Sequence, residues 1–145
     1  MIQILIAPII AALIAQLLKI SIKSNDLKFN WQSLTSYSGM PSSHSAMVIS
    51  LTSSVGLIQG FNSPLFFVCI IFSFFIIRDA LGLRRYIGRQ SKILNNLVND
   101  LENNKIIIKK NCPPLIENIG HTPAQILAGG LIGFLISYLS YTFFA

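Results

Sequence analysis

Residues 2–18 run almost without polar interruption, broken only by Gln3 and Gln16, and end at Lys19. A bilayer core takes about 20 apolar residues of helix, and every backbone amide inside it must be satisfied within the segment, so such a run is read as a transmembrane α-helix. The same reading extends to residues 45–58, 65–77 and 124–145. With 52% of residues hydrophobic, 11% charged and a mean hydropathy of +0.63, no polar stretch is long enough to make a separate aqueous unit. The expected architecture is all-α: a single integral membrane domain over residues 1–145, a multi-pass bundle of about four transmembrane helices plus an interfacial amphipathic helix. The first run has no Lys or Arg before it and is expected to be retained as a span rather than removed as a leader.

The charge pattern agrees. All eleven Lys and Arg fall within 19–28 or 78–110, flanking apolar runs, so the net charge of +6 marks membrane-surface anchoring and not nucleic-acid binding. Lys19, Lys23, Lys28 and the interfacial Trp31 lie in the first connector. In the second, Tyr86, Ile87, Leu94, Leu97, Val98 and Leu101 recur at helical spacing opposite Arg85, Arg89, Lys92, Asn95 and Asn99, which predicts an amphipathic helix on the membrane surface. The short apolar run 106–108 cannot span, and Pro113-Pro114 breaks the chain after it. Both basic connectors are assigned to the cytoplasmic side, and the chain ends and the 59–64 turn to the other. Ser50, Thr52, Ser53, Ser54 and Gly56 in the second span, and Gly129 and Gly133 in the last, are small residues suited to close helix contact in lipid. Cys69 and Cys112 suggest neither a disulfide nor a metal site.

Two turns carry the candidate chemistry: Gly39-Met-Pro-Ser-Ser-His-Ser-Ala46 and Gly120-His-Thr-Pro-Ala-Gln125. Each sets a His beside a Pro and hydroxyl residues that suit a helix start, where unpaired amides attract anions. Spans two and four run in the same direction, so both starts lie at one membrane face, the cytoplasmic one. Spans one and three end there, bringing Lys19, Arg78, Arg84 and Arg85. Two imidazoles, two helix N-termini and several cations in one layer are the parts of a phosphate pocket.

These residues resemble a known family. Pro41-Ser42-Ser43-His44 is similar to the Pro-Ser-Gly-His motif of the type-2 phosphatidic acid phosphatase and vanadium haloperoxidase superfamily, and residues 121–129 resemble its His-x-Pro-x-Asp-x-x-x-Gly segment. With Asp79-Ala-Leu-Gly-Leu-Arg-Arg-Tyr-Ile-Gly-Arg-Gln90, they look most like the divergent membrane branch of that superfamily. The resemblance implies a hydrolase acting on a lipid phosphate or pyrophosphate, with His121 as the nucleophile and His44 as the acid for the leaving oxygen. It also implies Ser42 and Ser43 on phosphate oxygens and Arg84 or Arg85 as the clamp, with Lys19 among the phosphate-binding cations. No metal or other cofactor is called for.

The chain departs from the superfamily pattern in three places. No Arg-Pro stands seven residues after Lys19 or Lys23, Pro114 and Leu115 replace Ser-Arg, and Gln125 replaces the acid that would support the nucleophilic His. Glu117, placed one helical turn before His121, or Asp79 is expected to fill that last role. The alternative reading is an inactive relative that binds an anion or lipid phosphate or supports membrane assembly; a metal site from His44, His121, Asp79 and Glu117 matches no ligand spacing. Membrane lipids are the expected partners, and so small a bundle leaves room for a homo-oligomer.

Overall fold

The computed structural model describes residues 1–22, 39–104 and 113–144. Lys23, Lys28, Trp31, residues 106–108 and Cys112 lie outside the described residues. Among the described residues, five helices follow one another: α1 (Gln3–Ser21), α2 (Ser43–Gln59), α3 (Pro64–Leu81), α4 (Leu83–Asn103) and α5 (Pro123–Phe144). The expected all-helical architecture is the one observed, with no strand among the described residues. α1, α3 with its continuation into α4, and α5 are long and apolar enough to cross a membrane. α2, at 17 residues, is shorter and the most enclosed.

Local chemistry sets the boundaries. Ser42 and Ser63 cap α2 and α3 by accepting the amide hydrogens of Ser45 and Phe66, and Pro64 opens α3, where its missing N–H costs nothing. Gly60 at φ +92° turns the chain between them. The continuation from α3 breaks at Gly82, whose amide still bonds to Arg78 O at 2.9 Å.

α2 is the centre of the bundle, packed against α5, α1 and α3. α1 lies antiparallel to α5, with Gln3 Nε2 donating to Phe144 O at 2.6 Å. α2 and α5 run parallel and touch through backbone: Gly129 lies on Ser42 and Ser45, Gly133 on Ala46 and Ser50, and Ser137 on Ser50 and Ser54. The interior is built from small residues, with Ala11, Ala15 and Ala46 wholly buried, while Phe67, Ile71, Phe74 and Phe75 of α3 point outward. That inversion of a soluble protein's plan is what lipid demands, because apolar bulk gains nothing by leaving hydrocarbon and close packing needs small side chains.

Polar side chains inside are satisfied in seams. Ser137 Oγ lies 2.7 Å from Ser50 Oγ, 2.8 Å from Ser50 O and 3.0 Å from Gly133 O. On the other flank, Thr52 Oγ1 and Ser73 Oγ, 2.8 Å apart, share the carbonyl of Val48. Ser137→Ala is expected to cost about 1 kcal/mol, the usual scale for a hydrogen bond between membrane helices. Reversible unfolding in mixed micelles measures it, and an unchanged midpoint would show that the seam is not stabilising.

Candidate active site

The two histidine turns are joined by backbone. Gly39, at φ +113°, leads into the buried Ser42, whose amide donates to Gln125 O at 3.0 Å. The hydroxyl of Ser45 sits 3.0 Å from both Ser42 O and Ile126 O. A side chain at Gly129 would collide with Ser42 O and Ser45 Oγ, so the glycine permits this approach. The starts of α2 and α5 are thus fixed at one level. His44, on the first turn of α2, and His121, two residues before α5, lie edge to face with ring centroids 6.3 Å apart and planes at 71°.

His121 hangs from the junction of α3 and α4. Its amide donates to Ala80 O at 3.1 Å, and the preceding Gly120, at φ +97°, presses against Arg85 and Ala80 where a Cβ would not fit. The ring is 2% exposed, and neither of its nitrogens has a hydrogen-bond partner among the described residues. An unpaired buried imidazole costs about 1–3 kcal/mol and marks a place kept for another purpose. Burial first, and then the charges of Lys19, His44 and Arg84, push its pKa down to about 4. At neutral pH the ring is therefore uncharged, with a lone pair free.

The fold gathers most of the residues expected at the site. Lys19, which the hydropathy pattern left at the edge of the first span, lies inside α1 and is 1% exposed. Burial first, and then the charges of Arg84 and Lys19, lower the pKa of His44, against which Asp79 acts. Arg84 Nε donates to Asp79 Oδ2, an ion pair that ties the start of α4 to the end of α3. Ser42 is buried at the cap, and Ser43 opens α2, half-buried. Arg85 packs beside Gly120 and lines a separate cavity that His121 also borders.

The residues named for support of His121 make other contacts: Asp79 pairs with Arg84, and Gln125 and Glu117 bond elsewhere. Gln125 Oε1 accepts the Thr122 amide hydrogen at 2.9 Å, and the Gln125 amide donates to Thr122 Oγ1 at 3.3 Å, a reciprocal cap for α5. Glu117 is not one helical turn before His121, because residues 113–120 are non-helical; its carboxylate accepts from Asn95 Nδ2 at 2.8 Å. Among the described residues no three His, Cys, Asp or Glu side chains gather as a metal set, so the quartet of His44, His121, Asp79 and Glu117 is not assembled.

Sequence reasoning missed how α4 holds the His121 segment. Asn95 Nδ2 donates to Leu115 O and Asn95 Oδ1 accepts from the Leu115 amide, both at 2.9 Å, while Gly88 lets Glu117 O approach the helix. α4 therefore carries three stripes. Leu83, Tyr86, Leu94 and Leu97 are exposed and apolar, as a membrane-surface helix requires. Gly88, Ser91 and Asn95 face inward, and Arg85, Arg89 and Lys92 line a cavity of about 410 Å³ that His121 also borders. An apolar groove of about 270 Å³ lies between α1, α2 and α3, lined by Pro8, Met47, Leu51, Phe72 and Ile76 and reaching His44.

The profile of the Divergent PAP2 family matches residues 2–136. The chain belongs to this family. The resemblance read from the two histidine turns and the Asp79-to-Gln90 segment is thereby borne out. A relative, the uncharacterized membrane protein YuiD of Bacillus subtilis (strain 168), is 36% identical over 149 residues, covering 97% of this chain and 94% of that protein. No solved structure matches the chain. The chain is thus a membrane protein of the Divergent PAP2 family.

Proposed function

We propose that this protein is a multi-pass membrane phosphatase that hydrolyses a lipid-linked phosphate monoester or pyrophosphate through a phosphohistidine at His121. One observation carries the reading: a neutral, buried imidazole with both nitrogens unpartnered stands beside a second histidine, within the field of two cations. A nucleophile must be unprotonated, and His121 meets that condition. The groove ending at His44 fits a hydrocarbon leaving group drawn from the bilayer.

In the first step a ring nitrogen of His121 attacks phosphorus, the bond from phosphorus to the leaving oxygen breaks, and His44 gives that oxygen its proton. Water then supplies its oxygen to phosphorus and a proton to His44, the nitrogen–phosphorus bond breaks, and phosphate departs. Lys19, Arg84, Ser43 and the first-turn amides of α2 and α5 are the candidates to hold the other oxygens. The basic segments support a cytoplasmic placement of this layer.

Purified protein in micelles, offered lipid monophosphates and diphosphates, is expected to release phosphate and to be inhibited by vanadate, a transition-state mimic. No release across the panel would overturn the reading. The charge state is tested separately by nuclear magnetic resonance of the two histidines, assigned with His44→Ala. His121 is expected to stay neutral as pH falls through the ordinary histidine range and to protonate near pH 4. A midpoint at or above the ordinary value would remove the argument for a neutral nucleophile.

A further inference from the structure

We propose that Arg85, Arg89 and Lys92 on α4, with the 120–122 turn, form a second phosphate-anion subsite in a cavity that His121 borders and His44 does not. The cations near the histidine pair, Lys19 and Arg84, come from α1 and the first turn of α4, and neither lines the α4 cavity. His44, Ser42 and Ser43 do not line it either. Two cationic places therefore border one imidazole.

The cavity has the chemistry of an anion site. Arg85, Arg89 and Lys92 make no ion pair among the described residues; Arg89 is near the Tyr86 ring at 5.8 Å, which leaves its donors free. Bare cations side by side repel one another, and a multiply charged anion removes that repulsion. Glu117, the one carboxylate among the described residues of the wall, is engaged by Asn95 Nδ2. His121, buried and with both ring nitrogens unpartnered among the described residues, is one of the residues that border the cavity. Three cations and about 410 Å³ suit a tetrahedral phosphate dianion. Such an anion could be free phosphate or the second phosphoryl group of a diphosphate. The subsite itself is independent of the phosphatase reading; its role in turnover rests on that reading.

The test is calorimetric binding of inorganic phosphate and pyrophosphate to full-length protein in micelles, comparing wild type, Arg89→Gln/Lys92→Gln and His44→Ala. The double variant is expected to bind both anions roughly 10- to 100-fold more weakly, since each lost charged contact is commonly worth about tenfold. His44→Ala, outside the cavity, is expected to bind within about twofold of wild type while losing turnover. Arg89→Lys, which keeps the charge, should restore most of the binding in an otherwise wild-type protein. Equal binding in wild type and the double variant, or loss only in His44→Ala, would overturn the subsite. Turnover then separates the sources. Weaker inhibition by free phosphate, with unchanged use of a lipid monophosphate, identifies product phosphate. A selective fall in kcat/KM for the diphosphate of the same alcohol identifies a second phosphoryl group. If the wild type hydrolyses nothing, the phosphatase reading fails, and the binding comparison still decides the subsite.

Discussion

His121→Ala is expected to abolish phosphate release, lowering kcat by roughly 10³-fold or more, because losing a covalent nucleophile removes the step and not merely a contact. The same variant should trap no acid-labile phosphoenzyme when the wild type does. Folding should survive, because the ring makes no hydrogen bond among the described residues and the link to Ala80 uses the backbone amide, which alanine keeps. The substitution even removes the desolvation cost of two unpaired nitrogens. Phosphate release and chemical trapping, measured beside the unfolding midpoint, separate chemistry from stability. Release above a tenth of the wild-type rate would exclude His121 as the nucleophile.

Gly129→Ala and Gly133→Ala are expected to destabilise the bundle by about 1–3 kcal/mol each, the range for overpacking a well-filled contact. In both, the new methyl would press on backbone of α2, Ser42 O in one case and Ala46 O in the other, and no side-chain rotation can relieve it. Gly130→Ala supplies the control. Its nearest neighbour would be Ile49 Cγ1 at 3.6 Å, an ordinary contact, so helix propensity should make it neutral or slightly stabilising. Gly129→Ala should also lower activity in the fraction that folds, since it spreads the two helix starts that hold the histidines together. Equal midpoints for all three variants would mean that α2 and α5 do not meet through their backbones.

Hydropathy made the apolar helices legible because length and composition are local properties. The direction of the helices followed from charge, and with it the meeting of His44 and His121. What stayed hidden depends on which atoms meet across the bundle. Lys19 looked like the end of a span and is inside one, because α1 continues to Ser21 and the small interior of the bundle admits its side chain. Gln125 looked like a substitute for an acid; its amide is spent on Thr122, a partner only three residues away that the Thr-x-x-Gln spacing could have suggested. Arg85, Arg89, Lys92 and Asn95 read as one solvated face, since periodicity distinguishes polar from apolar but not one polar partner from another. The structure divides them between a cavity and the 115–117 segment.

The clasp at Asn95 has a mechanical consequence. Its carboxamide presents one donor and one acceptor to Leu115, the pair of bonds that a neighbouring strand would offer, so a helix side chain serves as a single rung for a non-helical segment. A rung fixes register. Were residues 115–121 to slip by one position, His121 would travel about 3.3 Å along its track. That displacement is as long as the whole approach distance between reacting atoms in a near-attack arrangement, about 3–3.5 Å. The alignment of the proposed nucleophile is thus set at Leu115, six residues before it, by a side chain that need never touch the substrate.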